Sequence, residues 1–250
     1  MSTPLTIPTR ARADYGLDAP GVVGGLLFGG AAAYLLGRVA LRVAPQVAHH
    51  LLPVVSMLMS AGASCVVGGV IMLLGSRVGK LRLRDRVLDR LALAPDARVL
   101  DVGCGHGLLL IGAARRTPGG RAVGLDLWSQ VDQGKNSRDA TLANAASEGV
   151  ADRVEVYDGD MRAMPFADES FDAVVSSLAI HNVHGRDERR RAIEEIVRML
   201  RPGGRLAIVD LAHIGEYAGL LRAAGFSEVH PGGVVTWLYY PEARVLMARK

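Results

Sequence analysis

Two hundred and fifty residues, half of them hydrophobic, with a mean hydropathy of +0.22, exclude a disulfide-held miniprotein and a disordered chain. The balance is more apolar than an ordinary water-soluble domain needs, and the length allows one domain plus something extra. The net charge of +4 is concentrated: residues 76–90 hold six basic and two acidic groups, while residues 91–250 are slightly acidic, so the chain lacks the broad basic face of a nucleic-acid binder.

Residues 1–19 form a polar tail. Residues 20–75 read as a two-helix transmembrane hairpin. The run Gly21–Gly37 is uncharged and extends through Arg38 and Arg42 if those side chains snorkel. Leu51–Gly75 holds 25 uncharged residues. At 1.5 Å per residue that is about 37 Å of helix, enough for a hydrocarbon core of roughly 30 Å. Small residues at Gly21, Gly25, Gly29, Ala33 and Gly37 recur every four positions, echoed by Ser60, Ser64 and Gly68. Such stripes let helix backbones approach, within one chain or in a homodimer. A buried hairpin of a soluble protein is the alternative. Arg77, Lys80, Arg82, Arg84 and Arg86 argue for both termini in the cytoplasm, while Arg38 and Arg42 oppose it. The expected location is the cell membrane, multi-pass, with the catalytic part facing the cytoplasm.

Residues 76–94 read as a basic amphipathic linker helix that stops before Pro95, its charged face near anionic headgroups. From 95 to 250 the chain alternates. Strands are expected at Arg98–Val102, Arg121–Leu127, Val154–Tyr157, Ala173–Ser176 and Arg205–Val209, and helices at Gly107–Arg115, Thr141–Glu148, Arg186–Leu200 and Tyr217–Ala224. Two final strands lie between Val229 and Ala248. This order predicts an α/β fold: a doubly wound, mostly parallel, seven-stranded sheet covered on both faces, with an antiparallel edge. Cys65 and Cys104 are too few for a disulfide framework, and the absence of zinc spacing leaves no metal expected.

The loop Asp101-Val102-Gly103-Cys104-Gly105-His106-Gly107 joins the first strand to its helix. A dinucleotide is the first thought for a glycine-rich turn, but Leu108 stands where that fingerprint wants a small residue. Asp101 suits a ligand amine better than a pyrophosphate. Asp126 ends the second strand where a ribose diol is held, and Asp160 follows the third, suited to an adenine amino group. A ligand with amine, ribose and adenine but no phosphate is implied.

These residues resemble the class I S-adenosylmethionine-dependent methyltransferases, whose first motif D/E-x-G-x-G-x-G is matched by Asp101 to Gly107. Leu200-Arg201-Pro202-Gly203-Gly204 resembles the family's turn before strand five. Pro165-Phe166 with Ser170-Phe171-Asp172 is similar to the ubiquinone/menaquinone-type group. The hydrophobic N-terminal extension lies outside the resemblance. The resemblance implies S-adenosylmethionine as cofactor, with Asp101, Gly103, Cys104 and Gly105 at its methionine end. It implies Asp126 on the ribose, Asp160 and Met161 on the adenine, Leu127 and Met161 sandwiching the ring, and Ser176 or Ser177 facing the methyl group.

His181 and Asn182 follow strand four, where the family brings substrate-facing groups, and His181 is the candidate base. Trp128, Gln133 and Asn136 lie in a long polar connection at the sheet's carboxyl edge and are candidates for the acceptor pocket. The expected activity is methyl transfer to a small, lipophilic acceptor at the membrane surface. The alternatives are a membrane-localised methyltransferase of a soluble compound, a non-catalytic cofactor-binding module, and a nucleotide-dependent oxidoreductase.

Overall fold

The structure, a computed structural model, describes residues 13–43, 45–129, 136–234 and 243–250. Pro20–Val43 is one helix of 24 residues, made of α1 (Pro20–Gly24), a π turn (Gly25–Gly29) and α2 (Gly30–Val43). After α3 (Pro45–His50), a helix of 40 residues runs from Leu52 to Leu91 through α4 (Leu52–Leu74), a second π turn (Gly75–Gly79) and α5 (Lys80–Leu91). Both helices are long and apolar enough to cross a membrane, and large apolar side chains such as Phe28, Leu36, Val54 and Met57 point outward from them.

The two helices pack through glycine, using only Ala33 and Gly37 of the stripe with a spacing of four. A Cβ on Gly30 would lie 2.7 Å from the Gly62 carbonyl oxygen, and one on Gly62 would lie 2.6 Å from that of Gly30. Gly37 meets Met59 and Gly69 meets Leu27, so each helix presents glycine at an interval of seven, whereas Gly21, Gly25, Gly29 and Gly68 face open space. A seven-residue repeat keeps two nearly aligned helices in register, while a four-residue repeat suits a steeper crossing.

The amphipathic linker helix expected over 76–94 is the unbroken end of the second apolar helix and stops at Leu91. No proline interrupts residues 75–80, and the glycines at 75 and 79 are absorbed in a π turn rather than a break. Leu83, Val87, Leu88 and Leu91 are buried against the rest of the chain, and α5 crosses α6 (Leu108–Arg116) at Gly112, where a Cβ would sit 2.6 Å from Leu88 Cδ1. Arg77, Arg82, Arg86 and Arg90 remain exposed on the outer side.

Seven strands form one sheet: β1 (Arg98–Val102), β2 (Arg121–Asp126), β3 (Val154–Asp158), β4 (Phe171–Ser177), β5 (Leu200–Asp210), β6 (Ser227–Val234) and β7 (Arg244–Arg249). Their order is β3-β2-β1-β4-β5-β7-β6, with the first five parallel and β7 antiparallel to both neighbours. Successive side chains alternate between faces. Val99, Ala173, Val175 and Ala207 pack with α5, α6 and α7 (Arg138–Glu148). Leu100, Val174, Leu206 and Ile208 pack with α8 (Arg186–Met199) and α9 (Ile214–Ala223). Burial on both faces is why these strands read as continuous apolar runs.

Two boundaries differ from expectation for local reasons. The helix α7 starts three residues before Thr141 because the Ser137 side chain caps it, accepting from the Ala140 N–H at 3.2 Å. The Pro202-Gly203-Gly204 turn lies inside β5, where Gly203 donates to the Lys250 carbonyl at 2.8 Å and Lys250 donates back to Gly204 at 3.0 Å. The connection between the two expected final strands, residues 235–242, lies outside the described residues.

Candidate functional site

Strand order reverses at β1, which has β2 on one side and β4 on the other. Such a switch point opens a crevice at the carboxyl ends of the strands. A cavity of about 400 Å³ lies there, lined by Gly103, Gly105, Leu125, Asp126, Leu127, Ser129, Asn136, Gly159, Asp160, Met161, Arg162, Ser177, Leu178, Ala179, Asn182, Val183 and His184. That volume is within the range of small-molecule sites.

The glycine loop makes the crevice's floor. Gly103 and Gly107 have φ of +72° and +85°, a region costly for side chains. A Cβ on Gly103 would collide with Ala179, and one on Gly107 would come within 2.9 Å of Ile111 Cδ1. Gly107 then starts α6, whose first turn faces Asp101: the Leu110 N–H donates to Asp101 Oδ2 at 2.7 Å. Asp101 is only 2% exposed, and its Oδ1 has no partner among the described residues. Burial raises its carboxyl pKa to about 8, against the lowering effect of the Leu110 bond. The Cys104 thiol is buried against Gly124, and burial holds its pKa well above the ordinary range, so it is a packing group rather than a nucleophile.

Asp126 is already engaged. Its Oδ2 accepts from the Gly105 N–H at 2.8 Å, and its Oδ1 from the Trp128 N–H at 2.6 Å and Asn136 Nδ2 at 3.3 Å. These bonds lock the ends of β1 and β2 together around the cavity. Asn136 is buried, with Oδ1 unpartnered among the described residues. Asp160 lines the cavity but binds Arg162, whose Nε donates to it at 2.9 and 3.0 Å; that hydrogen bonding lowers its pKa. Arg162 also reaches Glu188 at 2.8 Å.

Most sequence-predicted residues converge here. Gly103, Gly105, Asp126, Leu127, Asn136, Asp160, Met161, Ser177 and Asn182 all line the cavity. Asp101 and Cys104 lie just behind it, lining a second small hollow. Ser176 does not face the cavity: its hydroxyl donates to the Val102 carbonyl at 2.8 Å, tying β4 to β1, and half-buried Ser177 lines the cavity instead. Trp128 is also outside, with φ +58° and its indole N–H on Asp158 Oδ1 at 2.7 Å. Gln133 lies outside the described residues.

The His181 ring is not part of the cavity lining. Its Nδ1 pairs with Asp210 Oδ1, and its backbone N–H donates to Asp210 Oδ2 at 3.0 Å. Asp210 ends β5 and is fully buried; it also accepts from the Leu211 N–H at 2.9 Å and the Tyr217 hydroxyl at 3.4 Å. Burial, with Asp210 nearby, raises the Tyr217 pKa, so that hydroxyl stays a donor. Sequence reasoning missed Asp210, although the strand-end acids Asp101 and Asp126 had supplied the pattern that would find it. It also missed Arg162 and His184.

The donor set fits a cationic nucleoside better than a phosphate. Acidic groups rim the cavity, a buried carboxylate oxygen and a buried amide oxygen lack donors, and Leu127 and Met161 offer apolar faces for a base. Residues 100–208 match the family model described as a methyltransferase domain. The chain is 35% identical over 130 residues to the methyltransferase GfsG of Streptomyces halstedii, covering 52% of this chain and 43% of that protein. It is 33% identical over 132 residues to the ubiquinone/menaquinone biosynthesis C-methyltransferase UbiE of Cereibacter sphaeroides, covering 52% and 49%. The matches thus span about half the length of these curated relatives. Among solved structures, the cyclase SpnF superposes with a TM-score of 0.56 at 25% identity, over 68% of this chain and 81% of that one. With the D-x-G-x-G-x-G loop, the three strand-end acids and the β3-β2-β1-β4-β5-β7-β6 order all present, residues 100–208, the part matched as a methyltransferase domain, are similar to the class I S-adenosylmethionine-dependent methyltransferases.

Proposed function

We propose that this protein transfers a methyl group from S-adenosylmethionine to a small, lipophilic acceptor at a membrane surface. The observation that carries the methyl-transfer reading is the crevice at the ends of β1 to β4, with a buried, unpartnered carboxylate oxygen behind its glycine floor. When bound, S-adenosylmethionine supplies a methyl carbon activated by a sulfonium leaving group, so the protein's main work is alignment. Asp101 and the glycine loop hold the methionine end, Asp126 takes the ribose hydroxyls, and Met161 and Leu127 enclose the adenine with Asp160 at its edge. Ser177 and Asn182 face the acceptor side. For an acceptor that must lose a proton, His181 is the proposed base: buried Asp210 holds its Nδ1, and because its ring lies outside the cavity lining the acceptor must extend past Asn182 to reach it.

The lipophilic acceptor rests on the apolar helices. Their outward side chains are those of a membrane-facing pair, which supports a two-span anchor over residues 20–75, with residues 95–250 as the catalytic part. Tyr15 and Asp18 before the first helix, and Lys80 after the second, meet at the catalytic part, so both ends of the hairpin emerge on one side. The exposed Arg77, Arg82, Arg86 and Arg90 favour a cytoplasmic placement of that side. A homodimer would use the Gly21, Gly25 and Gly29 face that the hairpin leaves open. The relative named for ubiquinone and menaquinone biosynthesis supports acceptors such as a quinone, an isoprenoid or a lipid-borne phenol. A confined encounter in the membrane plane raises the effective concentration of such compounds.

Because a fold does not fix a reaction, and one structural relative is named a cyclase, the test measures product. Full-length protein in nanodiscs is incubated with methyl-labelled S-adenosylmethionine and lipid extract or aqueous metabolites. Label in an organic-phase product is expected. Label only in aqueous products refutes the lipophilic acceptor, and no labelled product refutes methyl transfer.

A further inference from the structure

The two apolar helices end level with each other on the side of the catalytic part: the Ser76 hydroxyl donates to Asp18 Oδ2 at 2.9 Å and accepts from the Asp18 N–H at 2.9 Å. Residues 13–18, before the first helix, form a strap that lies on the glycine loop. Asn144 accepts from the Asp14 N–H at 2.9 Å through Oδ1, and its Nδ2 donates to the Asp14 carbonyl at 2.8 Å and the His106 carbonyl at 3.0 Å. Gly16 sits over the His106 ring, where a Cβ would be 3.2 Å from Cε1. Lys80 fixes the same strap, donating from Nζ to the carbonyls of Tyr15 and Gly16 at 2.8 and 2.6 Å. The glycine loop is thus level with Lys80, which follows the end of α4 at Leu74 by about 9 Å of helix.

The strands end at that level too. From Lys80, α5 carries the chain away to Leu91, and β1 brings it back to the loop at Gly103. Beside α5, α6 runs the same way, from Leu108 near Lys80 to Arg116, whose guanidinium meets Asp89 at 2.7 Å. At the remote end, Arg205 of β5 donates from Nη1 to the Leu91 carbonyl at 2.6 Å, well before that strand ends at Asp210. The five parallel strands therefore run toward the apolar helices, and the main cavity beyond their carboxyl ends faces the side on which those helices end. The headgroup layer of a bilayer is roughly 5–7 Å deep on each side. A cavity that opens from the glycine loop toward the lipid reaches into it.

The groups exposed along this edge suit lipid. Among the described side chains after Lys80, Leu127 and Tyr157 are the large apolar ones left exposed, at 63% and 40%. Tyr157 pairs in register with Leu125, so both stand at the carboxyl ends of β2 and β3. Trp128, which the cavity does not use, is half-buried beside them with its indole N–H on Asp158. Tryptophan and tyrosine collect at membrane–water interfaces, where the ring is buried and the polar atom stays wet. We infer that the carboxyl edge of the sheet is a lipid-facing surface, so that the crevice opens into the headgroup layer and the acceptor enters from that leaflet without crossing bulk water. The inference rests on the membrane reading of the apolar helices and adds the direction in which the catalytic part faces. An acceptor taken this way reacts at headgroup depth with its apolar part still in the leaflet.

The test reads lipid proximity on full-length protein in phosphatidylcholine nanodiscs, some of whose headgroups carry a nitroxide quencher. A fluorescent maleimide is attached at one position at a time through Leu127→Cys, Tyr157→Cys, Asp96→Cys or Val67→Cys, each combined with Cys65→Ser; Cys104 is buried. Asp96 is exposed at the opposite edge of the sheet, the length of β1 away, about 16 Å. Val67 lies within the second apolar helix and is 58% exposed. The headgroup nitroxide is expected to quench the labels at 127 and 157 several-fold more than the label at 96, and dissolved iodide to do the reverse. Tyr157→Cys carries the test if Leu127→Cys does not fold. Headgroup quenching at the edge no stronger than at 96, with the label at 67 shielded from iodide, overturns the inference and leaves the two-span anchor standing. A label at 67 open to iodide overturns the anchor, and the inference with it.

Discussion

At the scale of single residues, the site is built from carboxylates held in different states by their surroundings. Asp126 accepts backbone N–H bonds on both oxygens, whereas buried Asp101 has one bond and one oxygen with no partner among the described residues. Burial therefore keeps Asp101 protonated up to about pH 8. A raised carboxylate stabilises the fold fully below its unfolded pKa, and that contribution is lost as pH rises toward 8. Asp101→Asn keeps an acceptor for the Leu110 N–H and removes the buried charge. The ligand-free variant should thus melt higher than wild type at pH 9, with the gap closing toward pH 5, while its S-adenosylhomocysteine binding falls at least tenfold. For wild type, an ammonium ligand requires the ionised carboxylate, so affinity should drop by up to about tenfold per pH unit below 8. Calorimetry at pH 6, 7, 8 and 9 reads this directly, and a flat profile would sink the ammonium–Asp101 contact.

At the scale of elements, the hairpin shows backbone approach deciding which glycines matter. Gly62 and Gly30 face each other's carbonyls, while Gly68 faces open space. A methyl-bearing side chain at 62 must push two backbones apart, since neither carbonyl can swing away as a flexible side chain could. Gly62→Val is expected to cost about 1–3 kcal/mol of helix-pair stability, an overpacking penalty. Gly68→Val should be near neutral. Thermal unfolding of both variants in the same detergent separates them; equal melting temperatures would place the contact face elsewhere. Of the four-residue stripe in the sequence, Ala33 and Gly37 face the second helix while Gly21, Gly25 and Gly29 do not, because spacing alone does not say at what angle two helices cross.

At the scale of the whole molecule, the apolar hairpin and the catalytic part share a helix and are joined by the strap. Removing residues 1–76 would take away Tyr15, Gly16 and Asp18 as well as the apolar hairpin, so such a truncation also opens the hollow behind the glycine loop. A gentler perturbation is Gly16→Val. Position 16 has φ +72° and lies against His106, so valine is strained in backbone and crowded by the ring. The variant should lift the strap, making Lys80 accessible to trypsin and weakening S-adenosylhomocysteine binding several-fold, with far-UV circular dichroism unchanged. Wild-type trypsin resistance in the variant would show that the strap is not held by this packing.

The sequence by itself determined the α/β alternation, the glycine loop and the strand-end acids, because each is a local signal. Continuous apolar runs mark strands buried on both faces. Glycines stand where positive φ or close approach forbids a side chain, and short polar loops end in carboxylates at the sheet's edge. It likewise exposed two uncharged runs long enough for a bilayer. Only the tertiary structure decided which of two adjacent serines faces the cavity, since that depends on strand register. The same holds for Trp128, which is held on Asp158 rather than in the cavity wall, and for His181, which belongs to Asp210, 29 residues away in the chain. Lys80 was legible only as one charge in a basic cluster. Its burial beside the glycine loop follows from the continuity of a 40-residue helix and the docking of α5 on α6, long-range facts that no local window of sequence contains.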